Sequence, residues 1–183
     1  MLRIANAYET ELRQLLAEAS IDPKYMYYFT QPGGGYFDME LNNNTVWGHH
    51  FVSLDKDGKV IGYLSYRVDA FARSVSSFGL ISFDIGNQTF IRDTYNAIAD
   101  IFEKYHMNRM EWYAVVDNPV TKSYRRVCKK MGGRECAYER QAVQLLDGKL
   151  HDSVAFEVLA EEYFQSEFYK QHLKRMAKQS DKE

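Results

Sequence analysis

The chain has 183 residues, 45% of them hydrophobic, and a formal net charge of −2. That length and apolar content suit one folded domain with a sizeable core and exclude an intrinsically disordered chain. The near-neutral charge argues against general affinity for nucleic acid or anionic lipid, and no run is long enough to span a bilayer.

Leu2-Arg3-Ile4-Ala5 reads as a short first strand. Tyr8, Leu12, Leu15, Leu16 and Ala19 then fall on one face of an amphipathic helix, which Asp22-Pro23 breaks. Arg3, Glu9 and Glu11 interrupt any apolar run, so no signal peptide is expected. Over residues 24–45, aromatics including Tyr25, Tyr27, Tyr28, Tyr36 and Phe37 surround Pro32-Gly33-Gly34-Gly35. Three successive glycines predict a mobile loop, whose aromatics serve either as core or as a ligand wall. Val46 to Leu54 reads as a strand, Asp57-Gly58 as a hairpin turn and Val60 to Val68 as its partner.

The stretch from Ser76 to Arg92 organises the chain. Phe78, Leu80, Ile81, Phe83 and Ile85 mark a buried strand. A polar turn follows, then a helix carried by Phe90, Tyr95, Ile98, Ile101, Phe102 and Tyr105. Asn87 or Thr89 suits the N-cap, leaving amides at the turn without intrahelical partners, a place able to hold an anion. Met110 to Val116 is a further strand, and a strand–helix–strand succession predicts a parallel pair with a right-handed crossover. Asn118 as cap and Pro119 at the first position start another helix, buried through Val120, Tyr124, Val127 and Met131 and ended by Gly132-Gly133. Cys136 to Leu146, the Asp147-Gly148 turn and Leu150 to Val158 form a last hairpin. From Leu159 an aromatic-rich helix fades into Lys170, His172, Lys174, Arg175 and Lys178, read as a solvated basic end that suits the helix dipole. Two cysteines, Cys128 and Cys136, with no CxxC or Cys/His spacing for a metal, point to a reducing, cytoplasmic setting and to no metal site.

This order of elements resembles the GNAT N-acetyltransferase superfamily from about Leu2 to Val158. The likeness is carried by the hairpin Asp57-Gly58-Lys59-Val60-Ile61-Gly62-Tyr63, by the central strand–turn–helix, and by Asn118 with Val127-Cys128-Lys129-Lys130-Met131-Gly132-Gly133. The hairpin Leu145 to Asp152 looks like the ribosomal-protein-acetylating and phage-encoded branches. The resemblance implies an α+β (α/β) fold: a mixed, mostly antiparallel central sheet of about seven strands flanked by helices, with one splayed parallel pair. A single GNAT-like acyltransferase domain would occupy residues 1–183, with the C-terminal helix and tail at 159–183.

The resemblance also implies acetyl-CoA (coenzyme A) as cofactor and transfer of an acetyl group by direct attack of a primary amine. The pantetheine arm would pair near Phe83 and Ile85 in the splay. The pyrophosphate would lie over Gly86, Asn87, Gln88, Thr89, Phe90 and Ile91, and Asn118 would face the pantetheine. The family's phosphate loop usually carries glycines where this chain has Thr89 and Ile91. Its usual acidic tyrosine falls at Cys128, with Tyr124 one turn earlier on the same helix face, so both are candidate acids. Asp84 and Asp117 are candidate bases. His49 and His50 point to opposite strand faces, with a surface position as the default, while His106 and His151 carry no signal. The acceptor would be a small-molecule or peptide amine, with no nucleic acid or membrane partner and room for a homodimer. The alternative is a catalytically degenerate GNAT-like binding or assembly module with weak or no coenzyme A binding.

Overall fold

The computed structural model describes residues 1–28, 41 and 47–180. The glycine-rich part of the loop expected over residues 24–45 lies outside the described residues. The strands are β1 (Leu2–Ile4), β2 (Gly48–Leu54), β3 (Val60–Asp69), β4 (Ser74–Ser82), β5 (Arg109–Val115), β6 (Arg134–Gln144) and β7 (Leu150–Leu159). The helices are α1 (Glu9–Ile21), α2 (Gln88–Glu103), α3 (Thr121–Lys130), α4 (Ala160–Gln165) and α5 (Glu167–Ser180), with 3₁₀ turns at Ala5–Tyr8 and Pro23–Tyr28. One seven-stranded sheet runs in the order β1-β2-β3-β4-β5-β7-β6, and β4–β5 is its parallel pair.

Strand alternation divides the apolar residues between two cores. Leu64, Tyr66, Phe78, Met110, Trp112 and Phe156 pack beneath α2, α3 and the C-terminal helices. Val52, Val60, Tyr63 and Ile81 pack beneath α1 and the Pro23–Tyr28 turn. Tyr163 and Phe102 stack at 4.5 Å between ring centroids and are both fully buried, each side chain contributing about 1.5–3 kcal/mol of apolar transfer.

Two close approaches fix the helices that border the β4–β5 pair. Phe90, in the first turn of α2, lies flat on Gly62 of β3: a Cβ built there would stand 2.5 Å from the ring. Gly133, just past α3, is pressed against β7, where a Cβ would stand 2.3 Å from the Glu157 carbonyl oxygen.

Several boundaries depart from the sequence reading. β4 stops at Ser82, because the Phe83 and Asp84 amides both donate to the Ile61 carbonyl at 3.0 and 3.3 Å and turn the chain early. α3 starts at Thr121 rather than at Pro119. Asn118 Oδ1 accepts from the Val120 amide at 3.1 Å, a local turn that spends the side chain before the helix begins. The C-terminal segment is two helices instead of one. Ser166 is extended (φ −73°, ψ 158°), and its hydroxyl accepts from the Tyr169 amide at 3.1 Å, starting α5 anew.

Candidate active site

β4 and β5 pair only at Ser74–Arg109 and Val75–Met110. Their root is tied by the Arg73 carbonyl, which accepts from the Asn108 and Arg109 amides at 2.6 and 3.3 Å. Immediately beyond, Ser77 takes the left-handed conformation (φ 53°) and the β3–β4 register slips between Ser65 and Arg67. Such a bulge bends its strand and raises the local twist, steering β4 away from β5. From Phe78 onward the β5 edge of β4 has no strand partner among the described residues, although β5 stays paired to β7 along its whole length, from Arg109–Leu159 to Val115–Ser153. Alternate backbone groups over Phe78–Ser82 therefore face the gap, where an extended amide-bearing chain can pair with them. That open edge lies before Phe83 and Ile85, the residues expected from sequence to line it. The Phe83 amide is held by Ile61, and its carbonyl accepts from the Tyr25 hydroxyl at 3.3 Å.

The turn that follows is built around Asn87. Its Oδ1 accepts from the Thr89 and Phe90 amides at 2.9 and 3.4 Å, which makes Asn87 rather than Thr89 the cap of α2. Asp84 Oδ2 accepts from Asn87 Nδ2 at 2.7 Å and so orients the capping amide. Gly86 adopts φ 86°, where a side chain would be strained. The Ile85, Gly86 and Gln88 amides make no hydrogen bond among the described residues. With the dipole of a 16-residue helix behind them, these exposed donors favour an anion. Ile91 stands on the exposed side of the same turn, at 36% exposure.

The two candidate acids on α3 have separate environments. Tyr124 is half-buried, and its hydroxyl makes no hydrogen bond among the described residues. Burial, and secondarily Tyr28, raises its pKa well above the ordinary phenol value. Tyr28 packs against the α1-side core and Tyr124 against the α2-side core, so their electrostatic contact runs from one face of the sheet to the other. Cys128 is 2% exposed, with its thiol directed at the Arg134 and Glu157 carbonyls at 3.6 and 3.7 Å. Burial pushes that thiol up to about 12. Cys128 is thus packed into the α3–β7 core.

Neither histidine of β2 is a surface residue. His49 stacks on Tyr66 at 5.1 Å, and His50 Nδ1 lies 2.6 Å from the Tyr63 hydroxyl. Burial lowers both pKa values, with His49 adding to the shift at His50. His50 pairs with Ser65, and Ser65 with Gly79 on the open strand. His151, without signal in the sequence, sits between Asp117 at 3.4 Å and Asp147 at 3.2 Å because β7 begins beside the end of β5. Asp117 is otherwise exposed. Among the described residues no His, Cys, Asp and Glu groups gather as a metal site, and no helix is long and apolar enough to cross a membrane.

A seven-stranded mixed sheet whose parallel pair opens beside a helix N-terminus is the fold of the GNAT acetyltransferases. Solved structures agree. The chain is similar to spermidine N-acetyltransferase from Vibrio cholerae, determined in complex with CoA and spermine, with TM-score 0.71 and 17% identity over 90% of this chain and 97% of that one. It is also similar to a GCN5-related N-acetyltransferase from Brucella melitensis, with TM-score 0.64 and 20% identity over 88% of this chain and 76% of that one. No protein-family model and no curated protein matches the sequence.

Proposed function

We propose that this chain is an acyl-CoA-dependent N-acetyltransferase acting on a primary amine. The observation that carries the proposal is the unpaired edge of β4 leading directly into the orphan amides that start α2. Acetyl-CoA supplies the acyl group as a thioester. Phe78–Ser82 would hold its amide-bearing arm as a surrogate strand. The Ile85, Gly86 and Gln88 amides, with Asn87, Thr89, Phe90 and Ile91 around them, would hold its pyrophosphate. Asn118, in the turn after β5, would face the pantetheine from the other strand. The resemblance of the final hairpin keeps protein amines among the acceptors, while the Vibrio cholerae enzyme makes polyamines the first class to test.

Within this reading Tyr124 is the acid. A phenol with a raised pKa remains protonated at neutral pH and has its proton ready for the departing sulfur. Cys128 takes no part, because its thiol is buried against carbonyls. Asp84 positions Asn87 through their 2.7 Å hydrogen bond, and a carboxylate on the phosphate side of the gap is poorly placed to deprotonate an amine. His50 is the better base: it is neutral near pH 7, lies on the α1 face and is joined to the open strand through Ser65.

The test is calorimetric titration of the full chain with acetyl-CoA, followed by an acceptor screen across polyamines, amino acids and peptide N-termini. Saturable binding and acetyl transfer to one amine class are expected. Absence of binding at millimolar coenzyme would overturn the reading and favour the degenerate module.

A further inference from the structure

The glycines inside β3 and β4 stand in different surroundings. Gly62 is required by packing, since a Cβ there would stand 2.5 Å from the Phe90 ring. Gly79 is half-buried, and its φ lies outside the left-handed region. Among the described residues, a Cβ at Gly79 would meet only the Ser77 carbonyl oxygen at 3.7 Å and Ser65 Oγ at 3.8 Å, both ordinary contacts. Glycine weakens a strand interior. Where neither backbone nor packing calls for it, it marks a place that something else approaches closely.

Gly79 stands on the open strand, two residues past Ser77, where β4 leaves β5. Its cross-strand neighbour is Ser65, and that of Ser65 is His50. Phe78 and Leu80 pack into the α2-side core, as do Leu64 and Tyr66, so alternation puts Gly79 and Ser65 on the α1 face with His50. Along this row the side chains shrink from imidazole to hydroxymethyl to none, leaving a trough that runs from His50 to the edge of the gap. Tyr63 and Ile81, paired and buried, close its flank on the side of the α2 amides. Across the gap, Trp112 and Ala114 are buried in the α2-side core, so the exposed Tyr113 between them also stands on the α1 face.

We infer that Gly79 is the specificity-determining residue for the acceptor: the attacking amine crosses the bare backbone there, between His50 and Tyr113, in the room a side chain would fill. This path rests on the transferase reading and belongs to the same site. A coenzyme arm on the β4 edge, with its phosphates at the α2 amides, has its acyl end toward the root of the splay. The row through Gly79 is the approach to that end from the α1 face, with His50 at its head to take the amine's proton. Side chains stand perpendicular to the sheet, whereas an added strand pairs in its plane. A side chain at Gly79 would therefore obstruct the amine and spare the coenzyme.

The experiment measures binding by calorimetry to the full chain and to its Gly79→Ala and Gly79→Val variants, with thermal melts alongside. The probes are coenzyme A, S-acetonyl-coenzyme A as a stable stand-in for the acetyl thioester, and an adduct joining the same sulfur, through a methylene and a carbonyl, to the nitrogen of butylamine. The variants should melt no lower than the parent and bind coenzyme A and the acetonyl form as the parent does. They should bind the adduct more weakly by about tenfold or more. Gly79→Ala decides alone if the valine variant fails to fold. An alanine variant that melts well below the parent would make the glycine a packing requirement, and an equal loss for the acetonyl form would make it room for the acyl group. Either result overturns the inference, as does an adduct indifferent to the substitution. Failure of coenzyme A to bind the parent at millimolar concentration is a different result: it removes the transferase reading itself, and the acceptor path with it.

Discussion

The two edges of β5 make opposite use of the same backbone. Toward β7 it pairs over its full length, and the joint is reinforced by Glu157, which accepts from Arg109 and Arg134 at 3.0 and 2.8 Å. Toward β4 it pairs at two residues and then stops. Unpaired strand groups are costly when buried, so an edge left open inside a sheet is a place where something else completes the ladder. The device that separates the edges is small: one residue of left-handed backbone at Ser77 and the register slip beside it.

The contrast can be broken from either side. The largest effect is expected on the open side, where Tyr124→Phe should lower kcat by about 10²–10⁴-fold with coenzyme affinity unchanged; steady-state kinetics with calorimetry would read it, and an unaltered kcat would remove Tyr124 from the chemistry. On the closed side, Glu157→Ala should destabilise by about 1 kcal/mol, since Arg109 keeps Glu111 at 2.7 Å and Arg134 is exposed to water. Denaturant unfolding would show this, with acetyl-CoA affinity little changed.

Ser77→Val tests the divider. A β-branched residue in left-handed backbone costs about 1–2 kcal/mol and favours flattening the bulge, so coenzyme binding should weaken, whereas Ser77→Gly should preserve it. Asn87→Ala should remove about 1 kcal/mol of capping and also weaken coenzyme binding; loss of stability alone would confine Asn87 to the cap.

The smallest effect is on pH. His49 and His50 have lowered pKa values in the folded state, so acid protonates the unfolded chain first. Their contribution is present above about pH 6.5 and is lost as pH falls below it. Melts between pH 7.5 and 5 should fall less for a His49→Gln/His50→Gln variant than for the parent. If His50 is the base, activity in the parent should decline over the same range.

Most of the architecture was legible because it is written in local chemistry. Phe90, Ile98, Ile101 and Phe102 declare α2, Asp57-Gly58 declares a hairpin, and the strand–helix–strand order implies a parallel pair. The splay itself was readable only through resemblance, for its cause is the conformation of Ser77, a residue type that gives no hint of left-handed backbone. The fate of Cys128 and Asn118 was hidden for a related reason. Whether a thiol meets a gap or two carbonyls, and whether an asparagine caps a helix or the turn before it, depends on how α3 lies against β7. The pairing of His50 with Tyr63, and of His151 with Asp117, is set by strand register between segments far apart in the chain.

The seat of Phe90 on Gly62 has a mechanical consequence. Because the ring rests on bare backbone, the first turn of α2 and the middle of β3 are keyed together and cannot slide independently. Any ligand that draws the α2 amides inward must therefore tug on β3, and through it on β2 and His50. Occupancy at the start of α2 would then be felt two strands away, through rigid leverage rather than through any moving loop.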